Sequence, residues 1–171
     1  KNSGLLISCV VNSVSGEAIS QLDDNGIKRF VRLLTWIDGR QFAQANPHTP
    51  LLLERLGELC GNLCLALADF DHPAAHRFMK WDPQQTEWIN PHRSKFSGTR
   101  KELVDYFYSL FENNALPRLN KLRKSVNYND ANDYNVLVSF DSKDPVVPGV
   151  IDFGDLVFTQ TVNELAIVLA Y

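Results

Sequence analysis

Long apolar runs, a dense cysteine framework and an excess of one charge are all missing from this sequence, and each absence removes a class of function. No stretch approaches the roughly 20 apolar residues that a bilayer-spanning helix needs. The opening "KNSGLLISCVVNSVSGE" holds only a short apolar stretch before polar residues return, so neither a membrane span nor a signal peptide is expected. Cysteine is limited to Cys9, Cys60 and Cys64, an odd count without a dense framework, which fits reduced thiols in a cytoplasm better than structural disulfides. Cys60 and Cys64 share a helix face, but two ligands without a partner set make a poor zinc site and read as packed thiols. The 17 basic and 20 acidic residues are interspersed and leave a net charge of -3, so there is no basic field of the kind a phosphate backbone requires and nucleic acid is not an expected partner. Internal repeats and low-complexity tracts are also absent.

What remains is a globular composition, 44% hydrophobic over 171 residues, enough for a sizeable core in one domain or in a lobe of a larger one. The chain begins at Lys1 without a methionine and stops at Tyr171 inside the apolar run "ELAIVLAY", the look of a piece of something longer.

The opening reads as β: "LLISCVV" (5–11) and "IKRFVRLLTWI" (27–37) are apolar and rich in β-branched residues, with the turn residues "DDNG" (23–26) between them. Thr49 then offers a helix cap and Pro50 a first helical residue. Leu52, Leu56, Leu59, Leu63 and Leu67 recur at helical steps, so a core helix is expected over 50–68. Residues 71–97 are rich in Pro, Trp and His and read as irregular, with one short helix around 74–80. A second helix is expected from Ser97 or Thr99, with Thr99 and Glu102 spaced as a capping box and Leu103, Phe107, Leu110 and Phe111 as its apolar face. Pro117 suits the start of a further helix carrying Leu119 and Leu122. "NVLVSF" and "GVIDF" read as short strands around the turn "DSKDPVVP", and 159–171 as a final helix.

Asp130 and Asn135 in "YNDANDYNVLV" stand just ahead of one of these strands, and Asp152 in "VIDFGD" ends the next. Acids and amides are poor strand formers, so the crowding asks for a reason. Five residues of loop let Asp130 and Asn135 face one pocket, and a hairpin returns Asp152 beside them. Such a set can hold a hard cation such as Mg²⁺, which takes only one or two protein oxygens, and leaves Asp130 to orient or deprotonate a hydroxyl. Ordinary turn chemistry, which also favours Asp, Asn and Gly, explains the same residues without a site.

"YNDANDYN" followed by "VIDFGD" resembles the catalytic loop H-x-D-x-x-x-x-N and the metal-binding D-F-G of the protein-kinase-like fold, in the form used by aminoglycoside phosphotransferases and choline kinases. "VRLLTWIDG" is similar to the last small-lobe strand and hinge, and "DFDHPAAHRFMKWD" with "VNELAIVLAY" looks like the subgroup containing hydroxylysine kinase. The resemblance implies an α+β, protein-kinase-like fold, mostly the helical large lobe with a β-hairpin remnant of the small lobe: residues 1–37 as the end of the small lobe and hinge, 38–171 as the large lobe. It implies a phosphotransferase that moves the terminal phosphoryl group of Mg²⁺-bound ATP or GTP to a hydroxyl of an amine-bearing alcohol or amino acid. Asp130 would be the catalytic aspartate, Asn135 and Asp152 the metal ligands, and Leu34, Thr35 and Ile37 the hinge beside the nucleobase. Asp155 divides between a supporting role at the metal and a plain turn role. In that subgroup the domain also occurs fused to aminotransferase-like domains, which leaves fusion to or assembly with another enzyme open.

Two departures from the family pattern stand out. The histidine of H-x-D is Tyr128, expected to be tolerated because that position supports loop geometry. A glycine-rich phosphate loop, the strand lysine and its glutamate partner are not identifiable before the hinge. These departures sustain an alternative, a non-catalytic pseudokinase-like binding or regulatory domain, which the intact Asp130, Asn135 and Asp152 oppose. Elsewhere, His72 and His76 read as packing or capping residues rather than metal ligands. Trp81 and Trp88 read as satellite core ahead of a pocket wall. Asp69, Asp71, Asp82 and Glu87 read as solvated charge ahead of an acidic lid for an amine.

Overall fold

A computed structural model describes residues 5–141 and 143–171. Residues 1–4 of the expected 1–37 unit, and Ser142 in the expected turn, lie outside the described residues.

The chain opens with five short strands, β1 (Leu6–Ile7), β2 (Val10–Val11), β3 (Ser20–Asp24), β4 (Ile27–Val31) and β5 (Leu33–Leu34). β3 and β4 form the hairpin, with Asp24 opposite Ile27 and a two-residue loop in which Asn25 (φ 55°) and Gly26 (φ 83°) are both left-handed. That geometry suits an Asn-Gly turn and fixes the register on the residues flanking it. The first arm is therefore 20–24, and the expected pairing of 5–11 directly across the turn is corrected. "LLISCVV" instead splits: β2 pairs antiparallel with β5, and β1 leaves to join another sheet.

After β6 (Arg40–Gln41) comes α1 (Pro50–Ala66), close to the expected helix. Thr49 caps it by accepting from the amide of Leu52 at 3.2 Å. Leu52, Leu56, Leu59 and Leu63 are buried on one face, each contributing roughly 1.5–3 kcal/mol of apolar burial. They pack with Phe42, Ala45, Tyr128, Ala131, Val136, Val138 and Val150 in a single core.

Between α1 and α2 (Gly98–Leu110) the chain is irregular, as expected. The expected helix at 74–80 shrinks to one turn, Pro73–Ala75, because the backbone leaves helical geometry at His76 (φ -84°, ψ 57°). α2 follows Ser97, which makes no side-chain cap bond, and the capping box does not form. Its expected core face is corrected too. Leu103 (53% exposed) and Phe107 (59%) face outward, while Tyr108 is buried. The helix is rolled by polar ties to the 3₁₀ stretch Glu87–Lys95: the Arg93 guanidinium lies over the Tyr108 ring at 4.5 Å and pairs with Asp105 at 2.7 Å. α2 runs through a π-helical turn, Phe111–Ala115, into α3 (Leu116–Leu119), in which Leu119 is buried; the helix ends there, so Leu122, expected on it, lies beyond its end and is exposed.

Four more strands follow: β7 (Lys124–Asn127), β8 (Val136–Val138), β9 (Gly149–Val150) and β10 (Val157–Gln160), then α4 (Val162–Ala170). β8 and β9 are the expected antiparallel pair, within a sheet ordered β1-β9-β8-β6. Gly149 is required there, since a Cβ would lie 1.9 Å from the carbonyl oxygen of Leu6. β7 and β10 form a separate antiparallel ladder, which claims Thr159 and Gln160, so the last helix begins later than residue 159. Among the described residues no helix is long and apolar enough to cross a membrane.

Candidate active site

The two strand pairs bracket the acidic loop. β7 delivers the chain to Tyr128, β8 departs after Asn135, and β9 returns it to Ile151, whose amide donates to the carbonyl of Asn135 at 3.0 Å. Asp152 is thus the next residue after one bonded to Asn135. The Asn135 carboxamide donates through Nδ2 to Asp130 Oδ2 at 2.6 Å and to the Asp130 carbonyl at 3.1 Å. Asn132 Nδ2 donates to Asp130 Oδ1 at 2.7 Å, while Asn132 Oδ1 accepts from the amides of Tyr134 and Asn135. The turn chemistry of the loop is therefore real, and it serves to aim Asp130.

Electrostatics set this carboxylate apart. Burial raises the Asp130 pKa above its ordinary value, and the nearby Asp155 and Asp152 carboxylates add to the rise, while the hydrogen bonds from Asn132 and Asn135 oppose it. A carboxylate with a raised pKa is a better proton acceptor near neutral pH.

Asp152 has left-handed backbone (φ 60°, ψ 81°), and its Oδ1 accepts from the amide of Gly154 at 3.1 Å. A Cβ at Gly154 would crowd that oxygen at 3.0 Å. Such backbone in a non-glycine residue costs roughly 1–2 kcal/mol and concentrates at functional turns. With Nδ2 of Asn135 committed to Asp130 and Oδ1 of Asp152 to Gly154, the Oδ1 of Asn135 and the Oδ2 of Asp152 accept no hydrogen bond among the described residues and could face a cation. Two hard oxygens fit the small protein share of a Mg²⁺ shell. Among the described residues no group of three or more His, Cys, Asp or Glu side chains could hold a metal.

Tyr128 is fully buried, its hydroxyl donating to the carbonyl of Ile151 and its ring edge-on to Phe153 at 5.1 Å. Burial drives its pKa far up, so it stays a neutral strut between the two motifs. The sequence did not single out Asn129 and Glu164. Asn129 is left-handed (φ 63°), and its amide donates to Glu164 Oε2 at 2.9 Å, which ties α4 to the loop one residue before Asp130. Glu164 is itself buried, and burial raises its pKa. No local pattern marks it, because an acid in the first turn of a helix has an ordinary explanation.

Among the described residues, no hydrogen bond links the residues expected at the hinge to this group. Leu34 is half-exposed in β5, Thr35 exchanges bonds with Cys9 (amide to carbonyl and amide to Oγ1, each 2.8 Å), and the Ile37 side chain is buried. In the irregular segment, His72 caps the Pro73 turn through Nδ1, and His76 stacks on Phe158 and pairs with Asp71 at 2.6 Å. Asp82, read as solvated, is instead 2% exposed and accepts from Thr159, Asn163 and Gln84. Trp88 donates to the carbonyl of Lys80, whose ammonium lies 4.3 Å over the indole ring.

Comparison with known sequences identifies the family of the chain. The family described as "Phosphotransferase enzyme family" matches residues 14–171, a span that includes the loop, Asp152 and α4. The chain belongs to this phosphotransferase family. Relatives include the hydroxylysine kinase of Mus musculus, 31% identical over 158 residues, covering 86% of this chain and 42% of that protein. That of Xenopus laevis is 31% identical over 156 residues, covering 84% and 41%. The chain thus spans about two fifths of the length of these curated relatives. A solved structure of the microcompartment-associated aminopropanol kinase matches 98% of this chain and 53% of its own with a TM-score of 0.66 at 18% identity. At that identity the likeness concerns fold, and the fold is kinase-like with mixed helix and strand, as the motifs implied.

Proposed function

We propose that this phosphotransferase-family segment carries the acid and metal half of a small-molecule O-phosphotransferase site. Asp130 orients the acceptor hydroxyl and takes up its proton, and Asn135 and Asp152 hold the Mg²⁺ of a bound ATP or GTP, which neutralises charge on the transferred phosphoryl group. Residues 38–171 act as the large lobe. Residues 1–37 act as the end of the small lobe, with Leu34 as an apolar wall and backbone groups of Thr35 to Ile37 facing the base. The acceptor is an amine-bearing alcohol or hydroxylated amino acid, a reading supported by the names of the relatives. The observation that carries the proposal is the joining of Asn135 to Asp130 at 2.6 Å and to Ile151 at 3.0 Å, which gathers one loop acid and two oxygen ligands on a shared frame.

The non-catalytic alternative is not favoured. Tyr128, one of the two departures that suggested it, packs as a neutral strut and leaves Asp130 hydrogen-bonded. The test is transfer of labelled γ-phosphate from ATP or GTP to a panel of amino alcohols and hydroxylated amino acids by the intact protein. Turnover should require Mg²⁺ and fall by about 10²-fold or more in Asp130→Asn, with nucleotide affinity retained. Transfer undiminished in Asp130→Asn, or absent from every acceptor, overturns the proposal.

A further inference from the structure

Two side chains with no part in the reading above reach the turn that carries Asp152. Arg77 donates through Nη2 to the carbonyl of Gly154 at 2.5 Å and, at 3.4 Å, to that of Leu156. Trp81 donates through Nε1 to Asp155 Oδ2 at 2.8 Å. Both come from the irregular segment between α1 and α2, some 75 residues away in sequence.

That segment is anchored well enough to act as a fixed support. Ala75, Met79 and Asp82 are buried and alternate with Arg77 and Trp81, which face the turn. Met79 Sδ receives Asn129 Nδ2 at 3.4 Å, next to Asp130 in sequence. Asp82 Oδ1 receives Thr159 Oγ1 at 2.9 Å and Asn163 Nδ2 at 3.2 Å, which pins the segment to β10 and α4. One anchored stretch therefore touches the loop before Asp130 and the turn after Asp152.

The turn needs such support. Its own internal side-chain bond runs from the Gly154 amide to Asp152 Oδ1, so the residue assigned to the cation would otherwise also have to hold its own strained backbone. Arg77 takes over part of that task through the carbonyls. Asp155 stands at the other end of the turn, three residues from Asp152, and its charge acts on Asp130. The Trp81 indole gives that carboxylate a partner. We propose that Arg77 and Trp81 are positioning residues for metal-nucleotide binding, Arg77 fixing the backbone of 154–156 and Trp81 fixing the Asp155 side chain at the end of the turn, so that Asp152 is held in place. The inference rests on the metal assignment of Asp152 made above. Outer partners of this kind typically change metal affinity by about 10–100-fold.

The test uses the intact protein and calorimetric titration with ATP in EDTA and with Mn²⁺-ATP, the ratio of the two dissociation constants measuring the gain contributed by metal. Arg77→Met keeps the aliphatic stem and removes the donors, and Trp81→Phe keeps the ring and removes the N–H. Each should cut the gain by about tenfold while affinity in EDTA and the thermal midpoint stay near those of the parent. Arg77→Lys, with one donor restored, should fall between. Asp152→Asn serves as reference and should abolish the gain. A gain that survives Asp152→Asn overturns the metal assignment beneath the proposal. A gain lost in Asp152→Asn but intact in Arg77→Met and Trp81→Phe overturns this inference alone. Trp81 is exposed, so if Arg77→Met fails to fold, Trp81→Phe decides the outcome.

Discussion

Asn135 donates to both the carboxylate and the carbonyl of Asp130, at 2.6 and 3.1 Å, so the residue assigned to the cation and the residue assigned to the acceptor form one mechanical unit. Their roles are separable in chemistry but not in geometry. The hydrogen bond from Asn135 also holds the Asp130 pKa below where burial and the two neighbouring carboxylates would set it.

Asn135→Ala should therefore do two things. Turnover should drop by about 10²-fold or more, and the acid limb of the remaining pH–rate profile should move to higher pH, because the bond that favours the charged form is gone. Steady-state rates across pH measure both. An acid limb that stays in place or moves down would show that the Asn135 bond does not tune Asp130.

The raised Asp130 pKa has a stability consequence of definite sign. The folded protein binds this proton more tightly than the unfolded chain, whose carboxyl titrates near 3.8. Its contribution to stability is thus full below the unfolded pKa and is lost as pH rises through the folded one. Asp130→Asn removes the titration, so the melting temperature of the variant relative to the parent should become more favourable as pH rises above 3.8. Paired thermal melts at several pH values check this. A difference that is flat, or of opposite slope, contradicts the electrostatic account of the loop.

Tyr128→Phe deletes the hydroxyl that satisfies the carbonyl of Ile151 and preserves the ring against Phe153. A fully buried unsatisfied acceptor costs about 1–3 kcal/mol; this one is part-buried, so chemical denaturation should report a loss of about 1 kcal/mol. Because the strut does not transfer a proton, turnover should fall by less than about tenfold, well short of the loss expected for a general base. A loss as large as that of Asp130→Asn would give Tyr128 a direct role.

Gly149→Ala tests the parallel joint between β1 and β9. The added methyl meets the Leu6 carbonyl at 1.9 Å, a backbone atom with little freedom to yield. Destabilisation of about 1–3 kcal/mol is expected, together with faster hydrogen exchange at the Leu6 amide, which donates to Pro148. Unchanged exchange there would mean that β1 is not held by this pairing.

The sequence alone determined the elements whose causes are local. α1 follows from the Thr49 cap, Pro50 and a leucine period that needs no partner to be read, and the β8–β9 hairpin follows from two apolar runs around a turn. That Asp130, Asn135 and Asp152 lie close together was legible because a loop and a hairpin of short separation suffice to gather them, whereas their roles rest on the resemblance. Tertiary structure decided what depends on distant surfaces. The leucine and phenylalanine stripe of α2 faces outward because the Arg93 contacts with Asp105 and Tyr108, from outside the helix, set its roll. β7 and β10 define each other across more than thirty residues, and their mutual ladder overrode the helical start expected at 159. Asp82 looks like surface charge until Thr159 and Asn163 surround it, and Arg77 and Trp81 have no visible purpose until the 152–156 turn arrives beside them. Periodicity and capping are written in neighbouring residues, whereas a buried acid or a long-range hydrogen bond is specified only by what the rest of the chain brings to it.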